Sequence, residues 1–240
     1  MQSTKVANGA APVMAAKSIH YFFKGFWQHL LLVIFLTVVA AEFAAPSLGD
    51  DQFLGLLDTH WFWWGLGLSV LHQVLVWMVF RGQLGWGVLT RWFGEHDLTV
   101  WGAVFLPLMA SRPLMLLGLA IADRGSMASP RILQLVLGIG LLLPSLYAMY
   151  SVMRYFGVPR ALGGDHFRLQ YRQMPLVTEG AYRWTPHAMY MLVFLAMWAI
   201  AFLAGSMAAL SLAAFEHAYV WVHYFCTEKP DMELMYGDSP

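Results

Sequence analysis

The sequence predicts an all-α fold: a polytopic transmembrane helical bundle of about six spanning helices, within a range of five to seven. Three observations carry that reading. Of the 240 residues, 59% are hydrophobic and only 12% are charged. Several apolar runs reach the ~20 residues a helix needs to cross a bilayer. Those runs mostly lack the polar face that a helix on the surface of a soluble protein presents.

Six segments follow in order, roughly 29–46, 60–80, 99–122, 132–153, 188–204 and 208–225. The first begins near His29, too late for a cleavable signal peptide, and so reads as a retained helix. It stops at Pro46 and the Gly49-Asp50-Asp51 cluster. The third contains Ser111-Arg112-Pro113. A proline removes a backbone donor and kinks a helix, so a re-entrant pair is an alternative there. The fourth starts after Ser129-Pro130 and carries Pro144, and Gly205-Ser206 provides the tight turn between the last two. Residues 1–16 are small and polar and are expected to be disordered. The whole reads as one structural domain: a segment at 1–28, N-terminal helices at 29–130 and a C-terminal core at 131–240.

Charge sets the orientation. With the N-terminus inside, the inner segments hold Lys5, Lys17, Lys24, Arg81, Arg91, Arg154, Arg160, Arg168, Arg172, Arg183 and Lys229; the outer loops hold only Arg124 and Arg131. Lys and Arg concentrate on the cytoplasmic side, so both termini are expected there. The formal net charge is zero, and no nucleic-acid partner is expected. The single cysteine, Cys226, excludes an intramolecular disulfide. Oligomeric state stays open.

The candidate chemistry gathers at the two ends of the last hairpin. A basic, aromatic stretch from Leu176 to Tyr190 enters it and Thr227-Glu228-Lys229-Pro230 leaves it, on the same side. The loop 154–187 holds five arginines and Gly163-Gly164-Asp165-His166. Loops of that length with mixed chemistry are more often functional, while arginines alone also serve anionic inner-leaflet lipids. Thr185-Pro186-His187 reads as a helix start, with a capping Thr and a first-turn Pro. Arg112, near mid-bilayer, reads either as a contact to an anionic lipid headgroup or cofactor carboxylate, or as a structurally paired arginine. Gly138-Ile139-Gly140 lies inside an apolar helix, where small residues serve close packing; a bound cofactor can use the same space. Glu216 and His223 share one face of the last helix. No His-x-x-x-His box is present and no metal site is expected.

These residues resemble the integral membrane S-adenosylmethionine-dependent methyltransferases, which include phosphatidylethanolamine N-methyltransferases and isoprenylcysteine carboxyl methyltransferases. The similarity covers roughly residues 132–237. Leu176-Val177-Thr178-Glu179-Gly180-Ala181-Tyr182 is similar to the first part of the carboxyl methyltransferase pattern. Pro186-His187-Ala188-Met189-Tyr190 matches the second part at His187 and Tyr190 and departs at Pro186 and Ala188. Gly138-Ile139-Gly140, Leu162-Gly163-Gly164-Asp165-His166-Phe167 (one residue longer) and Glu228-Lys229-Pro230 resemble motifs of the phospholipid methyltransferases; Lys229 replaces a second glutamate.

The resemblance implies S-adenosylmethionine as cofactor in a cytoplasm-facing pocket built by the C-terminal half. Gly138, Gly140, Met174, Pro175, Leu176, Val177, Tyr182, His187, Tyr190, Glu228 and Lys229 would hold it. Glu228 would accept from its ammonium, and Lys229 would offset the charge of Glu228. His187, Asp165 or Glu216 would assist proton transfer, and Arg112 and Tyr224 would meet the substrate. The implied reaction is methylation of a membrane lipid, foremost phosphatidylethanolamine. Methylation of another small lipophile, a thiol or a prenylated carboxylate is the alternative; Tyr224 stands where the carboxyl methyltransferases have an arginine for a substrate carboxylate. A rival of a different class is a haem-binding redox protein or an isomerase, built on His217 with a histidine of another helix.

Overall fold

The computed structural model describes residues 16–237. The expected disorder of residues 1–16, apart from Ala16, and Lys5 of the charge count lie outside the described residues. A short helix α1 (Ile19–Phe22) leads into α2 (Phe26–Ala44). A two-stranded antiparallel hairpin, β1 (Gln52–Phe53) and β2 (Leu56–Leu57), precedes α3 (Asp58–Trp86). Then come α4 (Val88–Phe93), α5 (Asp97–Ala122) and α6 (Arg131–Ser151). Three one-turn helices, α7 (Val158–Ala161), α8 (Gly164–Phe167) and α9 (Leu169–Arg172), fold the long loop. The chain ends with α10 (Leu195–Ala204), α11 (Met207–His223) and α12 (Lys229–Tyr236).

Among the described residues, four helical stretches are long and apolar enough to cross a membrane: Ile19–Ala44, Asp58–Trp86, Val88–Ala122 and Arg131–Phe156. This makes the chain an integral membrane protein of all-α, polytopic architecture. The apolar stretch Met189–Ala204 is shorter, and α11 has 17 residues. The hairpin helices are therefore marginal in length against the ~20 residues of a full span.

The third segment differs from the re-entrant alternative. α5 is one continuous helix through both Pro107 and Pro113. The neighbours hold it: α3 packs along it, and Arg112 is anchored to α11. Prolines are tolerated in membrane helices where surrounding contacts compensate the lost backbone bond.

Packing polarity is inverted relative to a soluble protein. The buried residues of α6 are Gln134, Gly138, Ser145, Ala148 and Ser151, whereas Ile132, Val136, Ile139, Leu143 and Leu146 are exposed. Small and polar residues face protein because lipid already satisfies the apolar ones, and small side chains let backbones approach. Helix α2 does likewise, burying His29, Val33, Ala40 and Ala44 and exposing Leu31, Ile34, Phe35 and Val38. The helix α11 lies at the centre, packed against α2, α3, α5 and α10, with Leu212, Phe215 and Tyr219 in the main core.

The turn between α10 and α11 is tied down. Gly205 has φ +67°, and a Cβ there would lie 2.5 Å from Gln134 Oε1. Only glycine fits both the left-handed backbone and that approach. Ser206 Oγ accepts from Ala209 N at 3.0 Å and donates to Asp123 Oδ2 at 2.5 Å, which also accepts from Ala208 N. The buried Asp123 thus satisfies the start of α11 from the end of α5.

Candidate functional site

At the other end of the hairpin three helices are locally widened. Val152–Phe156, Met189–Val193 and Tyr224–Glu228 are π-helical turns that end α6, open α10 and extend α11. Such turns mark functional sites more often than chance because they re-aim side chains and leave backbone groups free. Here they bring together the two motif segments that flank the hairpin.

The approach is built locally. Ala181 N donates to Ser151 Oγ at 3.0 Å, and a Cβ on Gly180 (φ +61°) would meet that oxygen at 2.6 Å. Tyr182 stacks on Phe156 with ring centroids 5.5 Å apart. Its hydroxyl is buried without a hydrogen-bond partner, and burial pushes its pKa up to about 12. Thr185 Oγ1 accepts from His187 N at 3.1 Å in a tight turn ahead of the π-helical turn.

The centre of the site is Glu228. The Tyr190 hydroxyl donates to its Oε2, and His223 Nε2 lies 3.5 Å from Oε1. Aromatic rings close around it: Tyr224 packs 4.8 Å from His187 and 5.9 Å from Tyr190, and Trp221 lies 5.4 Å from His187. Burial raises the Glu228 carboxyl above its ordinary range, and burial keeps His187 neutral by lowering its pKa. A carboxylate among aromatic faces is a donor set for a cationic group, since ring faces and the carboxylate both attract positive charge.

Several residues named from the sequence lie elsewhere. Arg112 and Glu216 meet each other inside the bundle: Arg112 Nε is 3.7 Å from Glu216 Oε2, and Ser69 Oγ donates to Oε1 at 2.8 Å. Glu216 is twelve positions before Glu228, about 18 Å along a helix. Asp165 is engaged by the Tyr236 hydroxyl and, through its carbonyl, by Arg172 Nε at 2.6 Å. Lys229 lies 4.0 Å from Glu233, so the expected offset of Glu228 by Lys229 gives way to an exposed pair one turn on. Met174, Pro175 and Leu176 are exposed, and the Pro175 carbonyl accepts from Arg160; Val177 is half-buried and packs with Ala181 and Ala188.

The glycine pair is also displaced. A Cβ on Gly138 would lie 2.6 Å from Leu203, close to the Gly205 turn and therefore at the opposite end of the hairpin from His187 and Glu228. Gly140 is exposed on the outer face with open space around it. The room left by Gly138 is filled by helix packing. Accordingly, Gly138→Leu is expected to overpack and cost about 1–3 kcal/mol, whereas Gly140→Leu is close to neutral. Thermal unfolding in detergent reads the difference; loss of ligand affinity in a stable Gly140→Leu would return that residue to the site.

Other groups were not legible beforehand. His223 and Glu228 stand at positions i and i+5, about 140° apart on an ideal α-helix; the π turn brings them together. His217, the residue of the redox alternative, accepts from Trp198 Nε1 at 3.0 Å and stacks on Phe194. The loop arginines are largely engaged: Arg168 holds buried Asp97 with contacts of 2.9 and 2.5 Å, and Arg160 lies over Phe156.

Comparison with known proteins places this half of the chain. Residues 133–239 match the family model described as phospholipid methyltransferase. The match covers a little under half of the chain. The matched segment contains the three described π turns, His187, Tyr190 and Glu228, while α1 to α5 lie outside it. A phosphatidylethanolamine N-methyltransferase of Candida albicans (strain WO-1) is 29% identical over 108 residues, covering 44% of this chain and 12% of the relative. One from Lodderomyces elongisporus is 29% identical over 104 residues, covering 42% and 12%. The chain therefore spans about 12% of the length of these curated relatives. No solved structure gives a significant match. A family of methyltransferases implies a methyl donor.

Proposed function

We propose that this protein is an integral membrane methyltransferase that transfers a methyl group from S-adenosylmethionine to a phospholipid, of the phosphatidylethanolamine type. The observation that carries the reading is the Tyr190–Glu228 hydrogen bond, which joins the two family-like segments at one end of the hairpin. When bound, S-adenosylmethionine supplies an electrophilic methyl group on a sulfonium. The residues fit such a group: Glu228 would accept from its ammonium, and Tyr190 holds one carboxylate oxygen while His223 stands 3.5 Å from the other. Tyr224, Trp221 and His187 exclude water around it. Little beyond alignment and desolvation is then needed. The acceptor amine must lose a proton before attack, and neutral His187, at the mouth, is the base that the geometry favours; Asp165 and Glu216 are already engaged.

The lipid substrate reaches the site from the inner leaflet, with both termini cytoplasmic. Leu176 and Trp184 are 72% and 69% exposed on the loop beside the site, as interfacial anchors are. The test has two steps. Calorimetry on purified protein in detergent should detect S-adenosylmethionine binding; none by well-folded protein would overturn the reading. Incubation with phosphatidylethanolamine vesicles should then yield N-methylated lipid by mass spectrometry. Binding without lipid methylation would move the assignment to another lipophilic acceptor.

A further inference from the structure

Glu228 is held from behind by the half of the chain that the family match does not cover. Arg81, near the end of α3, is fully buried, and its Nε lies 2.6 Å from Asp231 Oδ1; both side chains are 0% exposed. Arg81 Nη2 donates to the carbonyls of Cys226 and Thr227, each at 3.4 Å, and Nη1 donates to the Tyr21 carbonyl. The Tyr21 hydroxyl lies 2.8 Å from Asp231 Oδ1 and 2.9 Å from the Pro230 carbonyl. On the other carboxylate oxygen, His166 Nε2 stands 3.4 Å away, with its ring stacked 4.0 Å from Phe80. Helices α1, α3, α8 and α12 thus meet at one carboxylate.

Pro230 explains the need. It has no N–H to donate to the carbonyls of the π-helical turn before it. A buried carbonyl without a donor is costly, and Arg81 supplies the bond. The chain around Gly25 also approaches at backbone distance: a Cβ there would be 2.4 Å from the Cys226 carbonyl oxygen. Arg81 therefore grips the two residues before Glu228 through their carbonyls and the third residue after it through Asp231.

We propose that the Arg81–Asp231 pair, completed by Tyr21 and His166, positions Glu228 for the ammonium of the cofactor, so that the N-terminal helices set cofactor affinity. The proposal rests on the methyltransferase reading above. Arg81 and Asp231 are positioning residues; neither needs to touch the ligand.

The test measures binding of S-adenosylhomocysteine by calorimetry, which does not depend on turnover, alongside melting temperature and steady-state kinetics. Arg81→Lys keeps the charge but loses the fork. Its affinity should fall about tenfold, the scale of one charged hydrogen bond, and its melting temperature should fall with the lost carbonyl bonds while the protein stays folded. KM for the methyl donor should rise more than kcat falls, because only placement has changed. Asp231→Asn should act likewise, and the double variant should lose less than the sum. Where an Arg81 variant fails to fold, Tyr21→Phe, which removes one hydroxyl and leaves the ion pair, should still weaken binding about threefold. Wild-type affinity in folded Arg81→Lys or in Tyr21→Phe would overturn the proposal. Wild-type binding lost in Glu228→Gln but unchanged in these variants would overturn the clamp alone; no binding by the wild type would overturn the methyltransferase reading on which it rests.

Discussion

Glu228→Gln is expected to reduce affinity for S-adenosylmethionine by about 2–5 kcal/mol, more than about 25-fold, while the protein stays folded. The amide keeps the size of the side chain and can still accept from Tyr190, so the packing around it survives. What is lost is the negative charge opposite a cationic ligand in a site closed by Tyr224, Trp221 and His187. The pH dependence should follow from the same carboxyl. Burial raises its pKa above the ordinary value, and the ligand ammonium pairs with the ionised form. Affinity is therefore full above the raised pKa and lost as pH falls through it, beginning at higher pH than for an exposed glutamate. Calorimetry across a pH series measures both effects. Lys229→Ala is the contrast: because Lys229 lies with Glu233, affinity should change by less than about threefold. A glutamine variant that binds as tightly as the wild type would remove Glu228 from the site.

The largest effect on stability is expected inside the bundle. Arg112→Met leaves the fully buried Glu216 without its cation and should cost about 3–5 kcal/mol. Replacing both, as Arg112→Met with Glu216→Gln, should recover much of that loss, since the uncompensated charge is gone while Ser69 can still bond the amide. Unfolding in detergent measures the cycle. The result that would restore Arg112 as a substrate contact is a single variant that melts like the wild type yet has a raised KM for lipid.

Much of this architecture was readable from local sequence. Length and apolarity of a run are properties of neighbouring residues, and so are its stops at Pro46, Ser129-Pro130 and Gly205-Ser206. The helices accordingly lie close to where those signals put them, although α5 crosses its prolines and the small hairpin at 52–57 was not anticipated. The gathering of His187, Tyr190 and Glu228 was also anticipated, because a hairpin with two polar ends must bring those ends together on one side.

What the sequence by itself determined, then, is an all-helical membrane chain with polar and aromatic segments meeting at one end of its last hairpin. Only the tertiary structure decided which polar groups share a place. Arg112 belongs to Glu216, Lys229 to Glu233, Gly138 to Leu203 and Arg81 to Asp231. Partners distant in the chain are chosen by how helices rotate and slide against one another, which no local pattern records. The π turn beneath Glu228 adds a second reason. It rotates every side chain after it relative to an ideal α-helix, so that His223 reaches a carboxylate that helical spacing would turn away.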